Sequence, residues 1–162
     1  MLLLDEQFDV FMQMMDDIPF LLESLRDNHD MSLLLKATTA LWDVRHFRFL
    51  ILFVRDFTIV NKRGWNVLHC IAHHSNAVDM FELIKQEMTF ETLNLLINQL
   101  DEFGTSTLHR VSLCNNHNAI KWLITNGAKL NVKDNEGRLP EEQYGCNDET
   151  QELIRQHRII VS

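Results

Sequence analysis

Cysteine is scarce and oddly numbered in this chain. Cys70, Cys114 and Cys146 are the three present, none in a CxxC pair, which is poor material for a disulfide framework and fits a reducing compartment. Long apolar runs are missing too, and no stretch approaches the roughly 18 apolar residues of a membrane span. The opening Met1-Leu2-Leu3-Leu4 is not a secretory signal, because it has no basic leader and Asp5, Glu6 and Asp9 interrupt the apolar run. These absences predict a soluble intracellular protein, cytoplasmic, nuclear or both, with no membrane partner. Positive charge is short as well: Lys and Arg number 15 against 23 Asp and Glu, a formal charge of −8. That balance excludes a nucleic-acid binder held by phosphate contacts and makes a basic or neutral partner the easier overall match.

The charge is uneven along the chain. Residues 1–24 hold Asp5, Glu6, Asp9, Asp16, Asp17 and Glu23 with no Lys or Arg, whereas in 43–63 Arg45, Arg48, Arg55, Lys62 and Arg63 outnumber Asp43 and Asp56. The middle is locally basic between acidic ends. The length, with 46% apolar and 23% charged residues, suits one cooperative domain.

An internal period is present. Residues 64–72 read Gly64-Trp65-Asn66-Val67-Leu68-His69-Cys70-Ile71-Ala72, and 104–112 read Gly104-Thr105-Ser106-Thr107-Leu108-His109-Arg110-Val111-Ser112. Both have the form G-x-x-x-L-H-x-h-small, where h is apolar. A third copy begins at Gly137, with Pro140 in the place of Val67 and Thr107 and Gly145 in that of Ala72 and Ser112. Gly104 and Gly137 are 33 residues apart; Gly64 and Gly104 are 40 apart, an insertion of seven. This pattern, with the segment Asn126-Gly127-Ala128-Lys129-Leu130-Asn131, resembles the ankyrin-repeat family across residues 61–155. A degenerate copy extends the register backward from Met31, aligning Leu35, Phe47, Leu50 and Ile51 with Leu68, Met80, Leu83 and Ile84.

The resemblance implies an all-α solenoid of stacked helix pairs with hairpin tips, three to four repeats plus an N-terminal helical cap. Second helices are expected over 78–87 and 119–126, burying Met80, Leu83 and Ile84 in one and Ile120, Leu123 and Ile124 in the other at helical spacing. Residues 1–28 read as the cap or an eroded repeat, because Leu4, Phe8, Phe11 and Met15 form an amphipathic stripe and Asp17-Ile18-Pro19 opens a second short helix. Residues 29–60 are the degenerate repeat, 61–100 the repeat with the insertion, 101–133 the next, and 134–162 the C-terminal capping repeat. In that last unit Glu141 and Glu142 stand where Leu108 and His109 stand, as an outermost repeat with nothing stacked beyond it tolerates. The insertion is expected to be helical, with Phe90, Leu93, Leu96, Ile97 and Leu100 as its stripe.

His69-Cys70-Ile71-Ala72-His73-His74 is the densest titratable cluster, and His69 and His73 have the i, i+4 spacing that puts two imidazoles on one metal. No Glu follows His69 as a metalloprotease motif requires, so a metal-dependent hydrolase built on His69, His73 and His74 is a distant alternative. Cys114 near His117 lacks an orienting third group. No phosphate-cradling loop and no paired catalytic carboxylates are evident. No catalytic residue, metal or cofactor is expected.

The resemblance instead implies a protein partner, held at the hairpin tips and on the concave face of the first helices. It places Lys62, Arg63, Trp65, His73 and His74 there in one copy, and Glu102, Phe103, Thr105, Leu113 and Cys114 in the next. In the third copy it places Asn135, Glu136, Arg138, Cys146 and Asn147. Trp65 and Phe103 read either as interface anchors or as rings lying flat against the neighbouring tip. In length the chain resembles small ankyrin inhibitors of cyclin-dependent kinases. That implies a regulatory subunit or inhibitor of a protein kinase in cell-cycle or DNA-replication control. An inhibitor sequestering a Rel-type transcription factor is the second reading.

Overall fold

Three residues before each of the three glycines stands Asn or Asp, and those side chains build the bends. In this computed structural model, residues 33–40, 43–52 and 56–161 are described; the expected cap at 1–28 and the start of the degenerate repeat lie outside them. Asn61 Oδ1 accepts from the Arg63 and Trp65 amides at 2.9 and 3.0 Å. Asp101 Oδ1 does the same for Phe103 and Thr105, and Asp134 Oδ1 for Glu136 and Arg138. A short side chain that captures two following amides folds the chain back on itself. The glycines then sit at equivalent bends with φ of 75°, 73° and 79°. At Gly104 a Cβ would also meet the Asn135 amide nitrogen at 2.9 Å, because the next hairpin stacks directly on this one. Neighbouring tips are joined by Glu102 N–H to Arg63 C=O at 2.8 Å and by Asn135 N–H to Phe103 C=O at 2.9 Å.

Helix pairs hang from these bends. The pairs are α1 (Leu33–Ala40) with α2 (Val44–Ile51), α3 (Val67–Ile71) with α4 (Ala77–Gln86), and α6 (Thr107–Leu113) with α7 (His117–Thr125). α5 (Phe90–Asn98) stands between the second and third pairs. The final unit is a 3-10 turn (Pro140–Glu142) with α8 (Asp148–Val161). No strand occurs among the described residues. First helices stack on first helices, α1 on α3 and α6 on the 3-10 turn, while second helices form the other layer, α2 on α4 on α7 on α8. The core runs between the layers. Leu35, Phe47, Leu50 and Ile51 are buried at the positions their alignment assigns, as are Met80, Leu83, Ile84, Ile120 and Leu123, while Ile124 is partly buried. Each fully buried aliphatic side chain contributes roughly 1.5–3 kcal/mol, so stacking supplies most of the stability. The small residue eight positions after each glycine is a packing requirement, since a Cβ on Gly145 would lie 2.6 Å from the Leu113 carbonyl oxygen.

The insertion forms the additional helix α5, capped by Thr89 accepting from the Thr92 amide. Leu93, Leu96 and Ile97 are buried, but Phe90 and Leu100 are exposed, because the helix starts at the former and stops before the latter. Asn98 fastens α5 to the next unit: its Nδ2 donates to Gly127 O at 3.0 Å and its Oδ1 accepts from the Lys129 amide at 2.9 Å. A second correction concerns the C-terminal unit. Glu141 is not turned to water but is 2% exposed, paired with Arg158 of α8 at 2.6 Å. Glu142 does face solvent and accepts from the Leu139 amide.

Candidate functional site: the concave face

The residue six positions after each glycine reaches back to its own hairpin. Arg110 Nη2 donates to Asp101 Oδ2 at 2.8 Å, and Gln143 Nε2 donates to Asp134 Oδ2 at 2.9 Å. Thr105 Oγ1 completes the first set at 2.7 Å, and Arg138 Nη2 completes the second at 2.9 Å. In the first copy that position is Cys70, which offers no such donor, and the hairpin residue is the neutral Asn61. Burial alone would raise the Asp134 carboxyl; hydrogen bonds from Gln143 and Arg138, with the guanidinium charge, outweigh it and hold the pKa at about 2.

Arg110 also crosses to the preceding repeat. Its guanidinium carbon lies 3.8 Å from the Trp65 ring centroid, with Arg63 on the same ring at 5.7 Å. Trp65 is therefore half-buried and packed against the core rather than a free tip aromatic. One repeat further, Arg138 lies 4.5 Å over the ring of Tyr144. Between the second and third fingers these side chains enclose a groove of about 370 Å³, walled by Phe103 and Leu113 and floored by Arg110, Arg138 and Gln143.

The residues expected from the sequence distribute unevenly over this surface. Lys62, Arg63, Glu102, Phe103 and Leu113 are exposed, with Glu102 facing Arg63 at 3.6 Å. Thr105 and Arg138 are half-buried and engaged in the carboxylate networks. His73 and Cys114 are exposed and face each other across repeats, His73 Nδ1 lying 3.0 Å from Cys114 Sγ. His74 is buried and so is not a surface contact, which corrects its placement. Sequence reasoning missed Arg110, Gln143 and Tyr144. Tyr144 is exposed at 87%, although its counterparts Ile71 and Val111 are core residues, because the 3-10 turn replaces the helix that would have turned it inward.

The histidine cluster does not converge on a metal. His69 is wholly buried: its Nδ1 accepts from the Asn66 amide, closing a capping box, and its Nε2 faces Thr105 O of the next hairpin at 3.2 Å. His109 repeats the Nδ1 half of the arrangement, accepting from the Ser106 amide at 3.1 Å. Among the described residues no group of three or more His, Cys, Asp or Glu is arranged to hold a metal. His117 is turned away from Cys114, with Nε2 on Thr150 Oγ1 at 2.9 Å and Nδ1 3.4 Å from Glu149.

Burial drives the His69 pKa down from 6.5 to about 4, and the charge of Arg110 adds to the effect. The unfolded chain thus binds this proton more readily than the folded one. The resulting stability is complete above pH 6.5 and is lost as pH falls toward 4, a contribution of about 3 kcal/mol. Asp134 titrates below this window. Urea midpoints measured from pH 7 to 4.5 are expected to fall steadily, and to fall less in His69→Gln.

A family profile described as Ankyrin repeats (3 copies) matches residues 37–134. The chain belongs to the ankyrin-repeat family, whose members typically serve as non-catalytic modules that bind other proteins. No curated protein matches the chain.

Proposed function

We propose that this protein is a non-catalytic regulatory subunit or inhibitor of a protein kinase in cell-cycle or DNA-replication control, working inside the cell in the cytoplasm, the nucleus or both. The observation that carries the binding half of this reading is the concave face. Phe103, Leu113 and Tyr144 are large apolar side chains left exposed beside two arginines, the residue types that dominate interface energy. The kinase half extends the family's usual role of binding other proteins to one class of partner. Phe103 and Leu113 serve as anchors in this reading, while Lys62 and Arg63 set encounter rate and orientation.

The test is affinity capture of the tagged full chain with its native partners, read by mass spectrometry, beside the double variant Arg63→Glu/Phe103→Ser. Both side chains are exposed, so the variant should keep its stability within about 0.5 kcal/mol. A protein kinase is expected with the unaltered chain and at least tenfold less with the variant. Recovery of a Rel-type factor in its place would replace the reading, and equal recovery by both baits would remove the concave face from it.

A further inference from the structure

The net charge of −8 favours a basic partner overall, but in the groove between the second and third fingers the cationic member of each buried ion pair is the outer one. These two ion pairs are oriented. The side chains of Asp101 and Asp134 are 0% and 1% exposed, whereas those of Arg110 and Arg138 are 12% and 20% exposed. The carboxylates lie beneath and the guanidinium groups face the groove. Each guanidinium also has one buried nitrogen with no hydrogen-bond partner, Nε of Arg110 and Nη1 of Arg138. On the first finger Lys62 and Arg63 are exposed and carry the same sign. Glu102 and Glu136 are each already opposite a guanidinium, Arg63 at 3.6 Å and Arg138 at 2.9 Å. The walls are apolar, with Phe103 half-exposed and Leu113 beside it.

We propose that this groove takes an extended acidic segment of a partner protein, seating one large apolar side chain against Phe103 and Leu113 and an adjacent carboxylate before Arg110 and Arg138. The assignment rests on the reading of the concave face as the binding surface and names the chemistry of what binds there. Volume fits it, since about 370 Å³ accommodates one large side chain with the backbone that carries it. Charge fits it, since the outward member of each buried pair is a planar guanidinium, which a carboxylate matches, and the low exposure of the site strengthens that contact. A basic segment would meet two guanidinium groups, with Asp101 and Asp134 beneath them and Glu136 already held by Arg138. A nucleic acid would need phosphate contacts along a basic track, and two groove cations on an acidic protein do not make one.

The experiment uses two fluorescein-labelled pools of short peptides with a fixed central Trp, one with Asp/Glu-rich flanks and one with Lys/Arg-rich flanks, and a mixed-sequence single-stranded RNA. Anisotropy is read against the full chain at low salt. The acidic pool is expected to bind at least tenfold more tightly than either other probe. Phe103→Ser, a fold-neutral change at an exposed tip, is expected to weaken it at least fivefold. Arg138→Gln should act likewise, and Leu95→Ser, on exposed α5 surface outside the groove, should leave binding unchanged. Preference for the basic pool or the RNA, or acidic binding insensitive to Phe103→Ser, overturns the assignment. If the acidic pool fails while the Arg63/Phe103 variant still loses a captured kinase, the assignment falls and the regulatory reading stands. If the pool binds as expected and no kinase is captured, the regulatory reading falls and the assignment stands.

Discussion

Arg158→Ala is expected to destabilise the protein by about 3 kcal/mol, more than a surface arginine would. Arg158 makes two contacts to the Glu141 carboxylate, at 2.6 and 2.7 Å, and one to Leu130 O at 2.9 Å, so the substitution leaves a buried charge with no counterion. The partial exposure of Arg158 keeps the loss at the lower end of the range for such pairs. Glu141→Leu, which restores the residue of the equivalent position Leu108, should cost less, because the Arg158 guanidinium that it strands is 24% exposed and can turn to water. The double variant should recover most of the loss. Urea unfolding of the three variants checks this. An Arg158→Ala loss below about 0.5 kcal/mol, the usual surface value, would place Glu141 in water after all.

Asp101→Ala should be of similar size, about 3 kcal/mol, for a different reason. The side chain satisfies two backbone amides, one hydroxyl and one guanidinium, and the last of these is held between Asp101 and Trp65. Deleting the carboxylate leaves buried donors unpaired and frees Arg110 from the groove floor. Asp101→Asn should cost about 1–1.5 kcal/mol less than the alanine variant, since Asn61 shows that an amide oxygen captures the same two backbone amides. Thermal or urea unfolding separates the two. Equal losses would mean that the ion pair, rather than the turn, holds the finger.

Much of this architecture was legible because it is periodic. The glycines, the Leu-His pairs and the stripe of Met80, Leu83 and Ile84 recur at spacings that packing imposes, and the structure places them at equivalent bends and in one continuous core. The Asx residues at 61, 101 and 134 carry the same period and were available to be read. So was the pairing of Asp with Arg110 or Gln143 against Asn61 with Cys70, which locates the groove floor. What periodicity could not give is the direction of a side chain whose partner lies on another element. Glu141 is inward because Arg158, on a later helix, meets it. Trp65 is half-buried because Arg110, one repeat on, covers it. Tyr144 is outward because Pro140 shortens its helix to a 3-10 turn. The first two depend on contacts between elements far apart in the chain and the third on a local break in the helix, none of which the repeat period records.

Stacking of the fingertips is the feature on which the bends, the groove and its charges all depend. Through-hydrogen-bond scalar couplings in the isotope-labelled full chain report it directly. Couplings from the Glu102 amide to the Arg63 carbonyl and from the Asn135 amide to the Phe103 carbonyl are predicted. Their absence, or couplings that pair these amides with other carbonyls, would contradict the stacked array.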